Sequence, residues 1–153
     1  MLERISKIVD NLIKNQIRIA FAESCTGGYI SHMFTNISGA SNTFDRGIIC
    51  YSNASKVQLL NVDPKTIEKN GAVSEEVAKQ LAFNVRILSD VDIGIGITGI
   101  AGPTGGTEEK PVGLVYIGFS TEKKTDVKRF QFHSDRIDFK KKVLEKILEY
   151  FET

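Results

Sequence analysis

The sequence predicts an α/β domain in which a mostly parallel, partly mixed sheet lies between helical layers. Three observations carry this expectation. Apolar residues switch along the chain between helical spacing and compact runs of strand length, and a glycine pair joins an early strand to the helix behind it. Two late strand-like runs are separated only by a short polar turn, as in a hairpin.

Leu2, Ile5, Ile8, Val9, Leu12 and Ile13 recur at helical spacing, and Asn15-Gln16 then give way to a first strand, Ile17–Ala22. Gly27-Gly28 follow it, and Tyr29–Phe34 return to helical spacing. Gly47–Tyr51 is a second short strand, with a short helix over Ser52–Leu60 behind it. Asp63-Pro64 open another helix as N-cap and first helical residue. Ser74 caps a long helix, Glu75–Ser89, whose two leading acids suit the helix dipole. Asp92–Ile100 alternates glycine or polar residues with isoleucine, a strand with one face packed by something that needs glycine's small volume. Residues 99–113 hold five of the thirteen glycines and two of the three prolines, a long loop of the kind that often carries function. Gly113–Thr121 and Val127–Phe132 read as strands across the turn Glu122–Asp126, and Asp135–Phe151 closes the chain as an amphipathic helix.

A length of 153 residues predicts one domain, 1–153, and 41% hydrophobic with 25% charged residues is ordinary globular usage. The net charge of +1 leaves no long-range field for nucleic acid or an anionic membrane, so neither is expected as a partner. Cys25 and Cys50 can form at most one bridge, which points to a reducing, cytoplasmic setting. The charged N-terminal segment lacks a signal-peptide apolar region, and no run is long enough for a membrane span.

Gly94, Gly96 and Gly99 satisfy G-x-G-x-x-G, but they lie inside a strand and Pro103 follows where a dinucleotide site needs a helix. His32, His133, Cys25 and Cys50 make no zinc spacing, so no metal is expected.

Glu23-Ser24-Cys25-Thr26-Gly27-Gly28 is more informative. A serine at a strand end, with glycines clearing side chains, would expose its hydroxyl at the carboxyl edge of the sheet beside free backbone N–H groups. The plainer alternative is that Ser24 or Thr26 merely caps the following helix. A nucleophile needs a base. His32 falls on the following helix, pointing away, and His133 precedes a helix start where a solvated role is the default. Lys56, in Tyr51-Ser52-Asn53-Ala54-Ser55-Lys56, follows another strand end and would meet Ser24 if the two strands are neighbours. A Ser–Lys pair works when burial lowers the amine's pKa, whereas the plain alternative is a solvated lysine. Cys25 is a third candidate, an acidified thiol at a helix start, with a small packed residue as its simpler role.

AESCTGG (22–28), Tyr51-Ser52-Asn53 with Lys56, GAVS (71–74), G-x-T-G-x-A-G-P-T-G-G (96–106), KPVG (110–113) and Asp135-Arg136 occur in the order that characterises the CinA C-terminal domain family. The chain resembles a stand-alone member, similar to nicotinamide mononucleotide deamidases. That resemblance implies a three-layer α/β/α sandwich with a mixed sheet of about five strands. It implies hydrolysis of nicotinamide mononucleotide to nicotinate mononucleotide and ammonia, without a cofactor, in a homo-oligomer of two or more copies. Ser24 would be the nucleophile, Lys56 the base and Tyr51 a hydroxyl partner in the proton relay. Cys25, Thr26 and Gly27 would present backbone donors, while Asn53, Thr98, Gly99, Gly102 and Arg136 would line the substrate site. Arg136 has the paired donors that a phosphate favours. Two departures fall beside it: Ser134 replaces the family's usual glycine, and Lys140 replaces a second arginine, keeping charge but losing the bidentate fork. A noncatalytic nucleotide-binding module of the same fold is the alternative function.

Overall fold

Side-chain alternation on an inner strand of the sheet divides the core in two. In the computed structural model, which describes all 153 residues, that strand is β1 (Ile19–Glu23). Before it comes α1 (Leu2–Lys14); after it come α2 (Tyr29–Thr35), β2 (Phe44–Ile49), α3 (Asn53–Leu60), α4 (Pro64–Asn70) and α5 (Glu75–Ser89). The chain continues through β3 (Ile93–Gly99), β4 (Leu114–Ser120), β5 (Thr125–Gln131) and α6 (Arg136–Glu152). Ile19 and Phe21 project into a core shared with α1, α2 and α6, where Ile5, Val9, Phe34, Phe139 and Leu144 are fully buried. Ala20 and Ala22 face the opposite way, toward Leu60, Val77, Leu81 and Val85.

The strand order is β2-β1-β3-β4-β5. β1 runs parallel to both β2 and β3, whereas β4 is antiparallel to β3 and β5. With helices on both faces, this is the mixed five-stranded α/β sandwich that the sequence predicts. The glycines of β3 act as expected, and Gly118 of β4 does the same. A Cβ on Gly96 would stand 2.4 Å from the backbone nitrogen of Ala82, and one on Gly118 would stand 2.5 Å from the carbonyl oxygen of Ala78. The backbone of α5 therefore rests directly on the sheet.

Two caps fall where the sequence puts them, Ser74 Oγ accepting from Val77 N and Asp63 from Lys65 N; Asp135, expected as the first residue of the last helix, is instead its N-cap and accepts from Asp138 N. Some strand limits shift. Gln16 takes a left-handed φ of 56° and Ile17 N bonds back to Leu12 O, so β1 begins at Ile19 rather than Ile17. β2 spans Phe44–Ile49 rather than 47–51, because an edge strand tolerates polar residues: Asp45 is held at 2.6 Å by both Arg18 and Arg46. A single 3-10 turn, Ala40–Asn42, was not expected. No helix is long and apolar enough to cross a membrane.

Candidate active site

Parallel strands present their carboxyl ends to the same edge, and open α/β sheets bind ligands there. Because β2 and β3 both flank β1, segments far apart in sequence converge: Ser24 follows β1, Tyr51 to Lys56 follow β2, and Thr98 to Gly102 close β3. They line one cavity of about 250 Å³. Ser24, Cys25, Tyr51, Asn53, Lys56, Thr98, Gly99, Gly102 and Arg136 all border it, while Thr26 and Gly27 do not.

The Ser24 hydroxyl lies 2.9 Å from Lys56 Nζ. Lys56 Nζ also donates to Cys50 O at 2.9 Å and to Tyr51 O at 3.2 Å. Only 1% of Lys56 is exposed, and this burial pulls its pKa below the usual lysine range. A neutral amine has two hydrogens and one lone pair. In the structure Nζ donates to both carbonyls and to Ser24 Oγ; in the neutral amine the two carbonyls would take the hydrogens and the lone pair would be free to accept the Ser24 O–H. The neighbouring-strand condition on Lys56 is met, and the solvated alternative is not.

Neither Ser24 nor Thr26 caps α2. The cap position is Gly28, at φ +96°, with no side-chain cap bond. Thr26 Oγ1 donates instead to Glu23 Oε1 at 2.7 Å. The backbone amides of Cys25, Thr26 and Gly28 have no partner within the chain, whereas Gly27 N bonds to Ser24 O. Cys25 is packed into the larger core, and its thiol is pushed up to about 12 by burial, which leaves it a poor nucleophile. Cys50 is likewise raised to about 11, and both cysteines are free.

Tyr51 meets Lys56 through its backbone carbonyl, while its phenol hydrogen-bonds neither Lys56 nor Ser24 and the residue is 61% exposed at the cavity rim. Thr98 is buried with its hydroxyl donated to Ala72 O at 2.8 Å, so it fastens the 71–74 segment to β3. Lys110 makes a second tie, to Asn70 O. Gly102 takes φ +82°, and a Cβ there would stand 2.3 Å from Val112 Cγ1. Arg136 Nε donates to Gly102 O at 2.9 Å, leaving its terminal nitrogens without a partner in the chain. Lys140 Nζ, also without an ion pair, lies 3.7 Å from where a Cβ on Gly27 would be. His32 is exposed on α2 beside Asn36, and neither it nor His133 borders the cavity. No group of three His, Cys, Asp or Glu side chains stands together as a metal site.

Sequence reasoning passed over Glu23, a fully buried carboxylate one residue before Ser24. The signal was an acid closing an otherwise apolar strand. It also missed Ala72, Val73, Thr104 and Gly105 as cavity walls, although their segments belong to the resemblance.

The CinA C-terminal domain family model matches residues 2–153. A putative competence-damage inducible protein of Thermoanaerobacter pseudethanolicus is 49% identical over 135 residues, 88% of this chain and 33% of that protein. Its counterpart in Caldicellulosiruptor saccharolyticus is 52% identical over 133 residues, 87% of this chain and 32% of that protein. The chain thus spans about a third of the length of these curated relatives. Among solved structures, the competence/damage inducible protein CihA of Agrobacterium tumefaciens superposes with a TM-score of 0.94 at 32% identity, covering 97% of this chain and 92% of that one. A CinA superfamily protein of Escherichia coli gives 0.92 at 27% identity, covering 97% and 87%. With a family model matched over nearly its whole length and the same fold in solved members, the chain belongs to the CinA C-terminal domain family.

Proposed function

We propose that residues 1–153 form an amidohydrolase domain that converts nicotinamide mononucleotide to nicotinate mononucleotide and ammonia, acting as a homo-oligomer. The observation that carries this reading is the 2.9 Å approach of Lys56 Nζ to Ser24 Oγ, with the amine buried and two carbonyls taking its other bonds. Lys56 takes the Ser24 proton as the oxygen attacks the carboxamide carbon. The carbonyl oxygen gains negative charge, and the unpaired amides of Cys25 and Thr26 are the donors nearest in sequence to hold it. Lys56 then returns the proton to the nitrogen, which leaves as ammonia. Water hydrolyses the acyl-serine, with Lys56 acting as base again.

The cavity volume of about 250 Å³ suits a small molecule rather than a macromolecule. Arg136, with free terminal nitrogens, and Lys140 supply cations for a phosphate at its margin. Ammonia release from the nucleotide, its nucleoside and free nicotinamide tests the proposal. The nucleotide should be turned over fastest, and S24A should be folded and inactive. Full activity in S24A would refute the mechanism, and nucleotide binding without turnover would favour the noncatalytic module.

A further inference from the structure

A charged group buried beside a nucleophile costs desolvation unless its surroundings satisfy it. The Glu23 carboxylate is 0% exposed and is fully satisfied. Oε1 accepts from Thr26 Oγ1 at 2.7 Å and Ile30 N at 3.0 Å; Oε2 accepts from Ser31 N at 3.0 Å and Ser31 Oγ at 2.6 Å. Ile30 and Ser31 belong to the first turn of α2, which has no cap of its own. Glu23 therefore holds the helix from the end of β1, and its negative charge meets the positive end of the helix. The backbone of Ser24 to Gly28 is closed between the α-carbon of Glu23 and the donors on its carboxylate.

The main chain of the same residue works on the other half of the pair. Glu23 O accepts from Cys50 N at 2.9 Å and lies 3.6 Å from Cys50 Sγ. Cys50 O and Tyr51 O, just beyond, hold the Lys56 amine. One residue thus ties down the nucleophile turn with its side chain and the amine's carbonyl seat with its backbone.

We infer that Glu23 is a positioning residue: its carboxylate sets the Ser24 turn against Lys56 without touching substrate. Glu23 does not border the cavity, so its loss should reduce the chemical step and spare binding. The inference rests on the amidohydrolase reading, and the experiment separates the two.

The test uses E23Q, nearly the same size, whose amide can accept at one atom but would set its NH2 against the Ser31 amide. A small fluorophosphonate probes Ser24 independently of any nucleotide: the Ser24 Oγ–P bond forms, the P–F bond breaks, fluoride departs and the serine proton passes to Lys56. Misplacement by about 1 Å costs on the order of 100-fold in rate. E23Q should therefore label roughly 100-fold more slowly and lose kcat on nicotinamide mononucleotide to a similar extent, with KM within about twofold of the parent. S31A, which removes one donor to Oε2, should label several-fold more slowly and decides the matter if E23Q does not fold. Labelling of folded variants at the parent rate overturns the positioning role while leaving the Ser24 mechanism intact. A parent that is not labelled at Ser24 overturns both. A parent that is labelled and slowed by E23Q, yet releases no ammonia, upholds the positioning of Ser24 and removes only the substrate assignment.

Discussion

Arg136 Nε donates to the carbonyl of Gly102 at 2.9 Å, so the arginine that starts α6 also anchors the glycine loop, with its terminal nitrogens left over for a ligand. R136M should raise KM for the nucleotide by about 10- to 100-fold, the worth of a charged hydrogen bond of roughly 1.5–3 kcal/mol. The nucleoside, which lacks the phosphate, should be affected much less. Equal losses on both substrates in steady-state assays would mean that Arg136 acts only by holding Gly102.

The proposed mechanism uses Lys56 as a base in its neutral form, and burial lowers its pKa. kcat/KM should therefore fall as pH drops through that lowered value and the amine gains its proton. A profile flat from about pH 5 to 9 would contradict this. Stability carries the same sign. Between the lowered folded value and about 10.4, the unfolded chain binds the extra proton, so this group's contribution to stability rises with pH across that window. Denaturation of the parent and of K56M at several pH values should show the parent gaining stability relative to the variant as pH rises. K56M should also be inactive.

Burial raises the Cys25 thiol to about 12. At pH 8 almost none of it is thiolate, so iodoacetamide should leave Cys25 unmodified in the folded protein and alkylate it in denaturant. C25S should keep most of the activity. Rapid alkylation of native Cys25, read by mass spectrometry, would revive the thiol as a nucleophile.

Gly96 tests the seat of α5 on the sheet. A Cβ at this position would meet Ala82 N at 2.4 Å and Ala78 O at 2.9 Å, backbone atoms that move only with the helix. G96A should destabilise by about 1–3 kcal/mol, near the upper end, measured as a lowered denaturant midpoint. A midpoint equal to the parent's would show that α5 moves away freely.

Much of this was legible in the sequence where the signal was local. Ser74 and Asp63 cap helices because a short polar side chain reaches amides a few residues ahead, and the isoleucine–glycine alternation of β3 reports its own two faces. Limits of edge strands were less legible, since Phe44 and Arg46 join β2 through pairing to β1 that no local propensity announces. Glu23 was the clearest omission, because three of its four donors come from a helix that folds back over it and the fourth from the turn between.

By itself, then, the sequence determined the alternation of helix and strand, the family, and the residue types available for chemistry. Strand order was decided only in three dimensions: placing β2 and β3 on either side of β1 brings Ser24 to Lys56 and excludes water from the amine. Spacing can name a serine and a lysine. Burial, a product of the tertiary fold, lowers the pKa of a lysine that would otherwise be a solvated cation, and two backbone carbonyls hold its amine against Ser24.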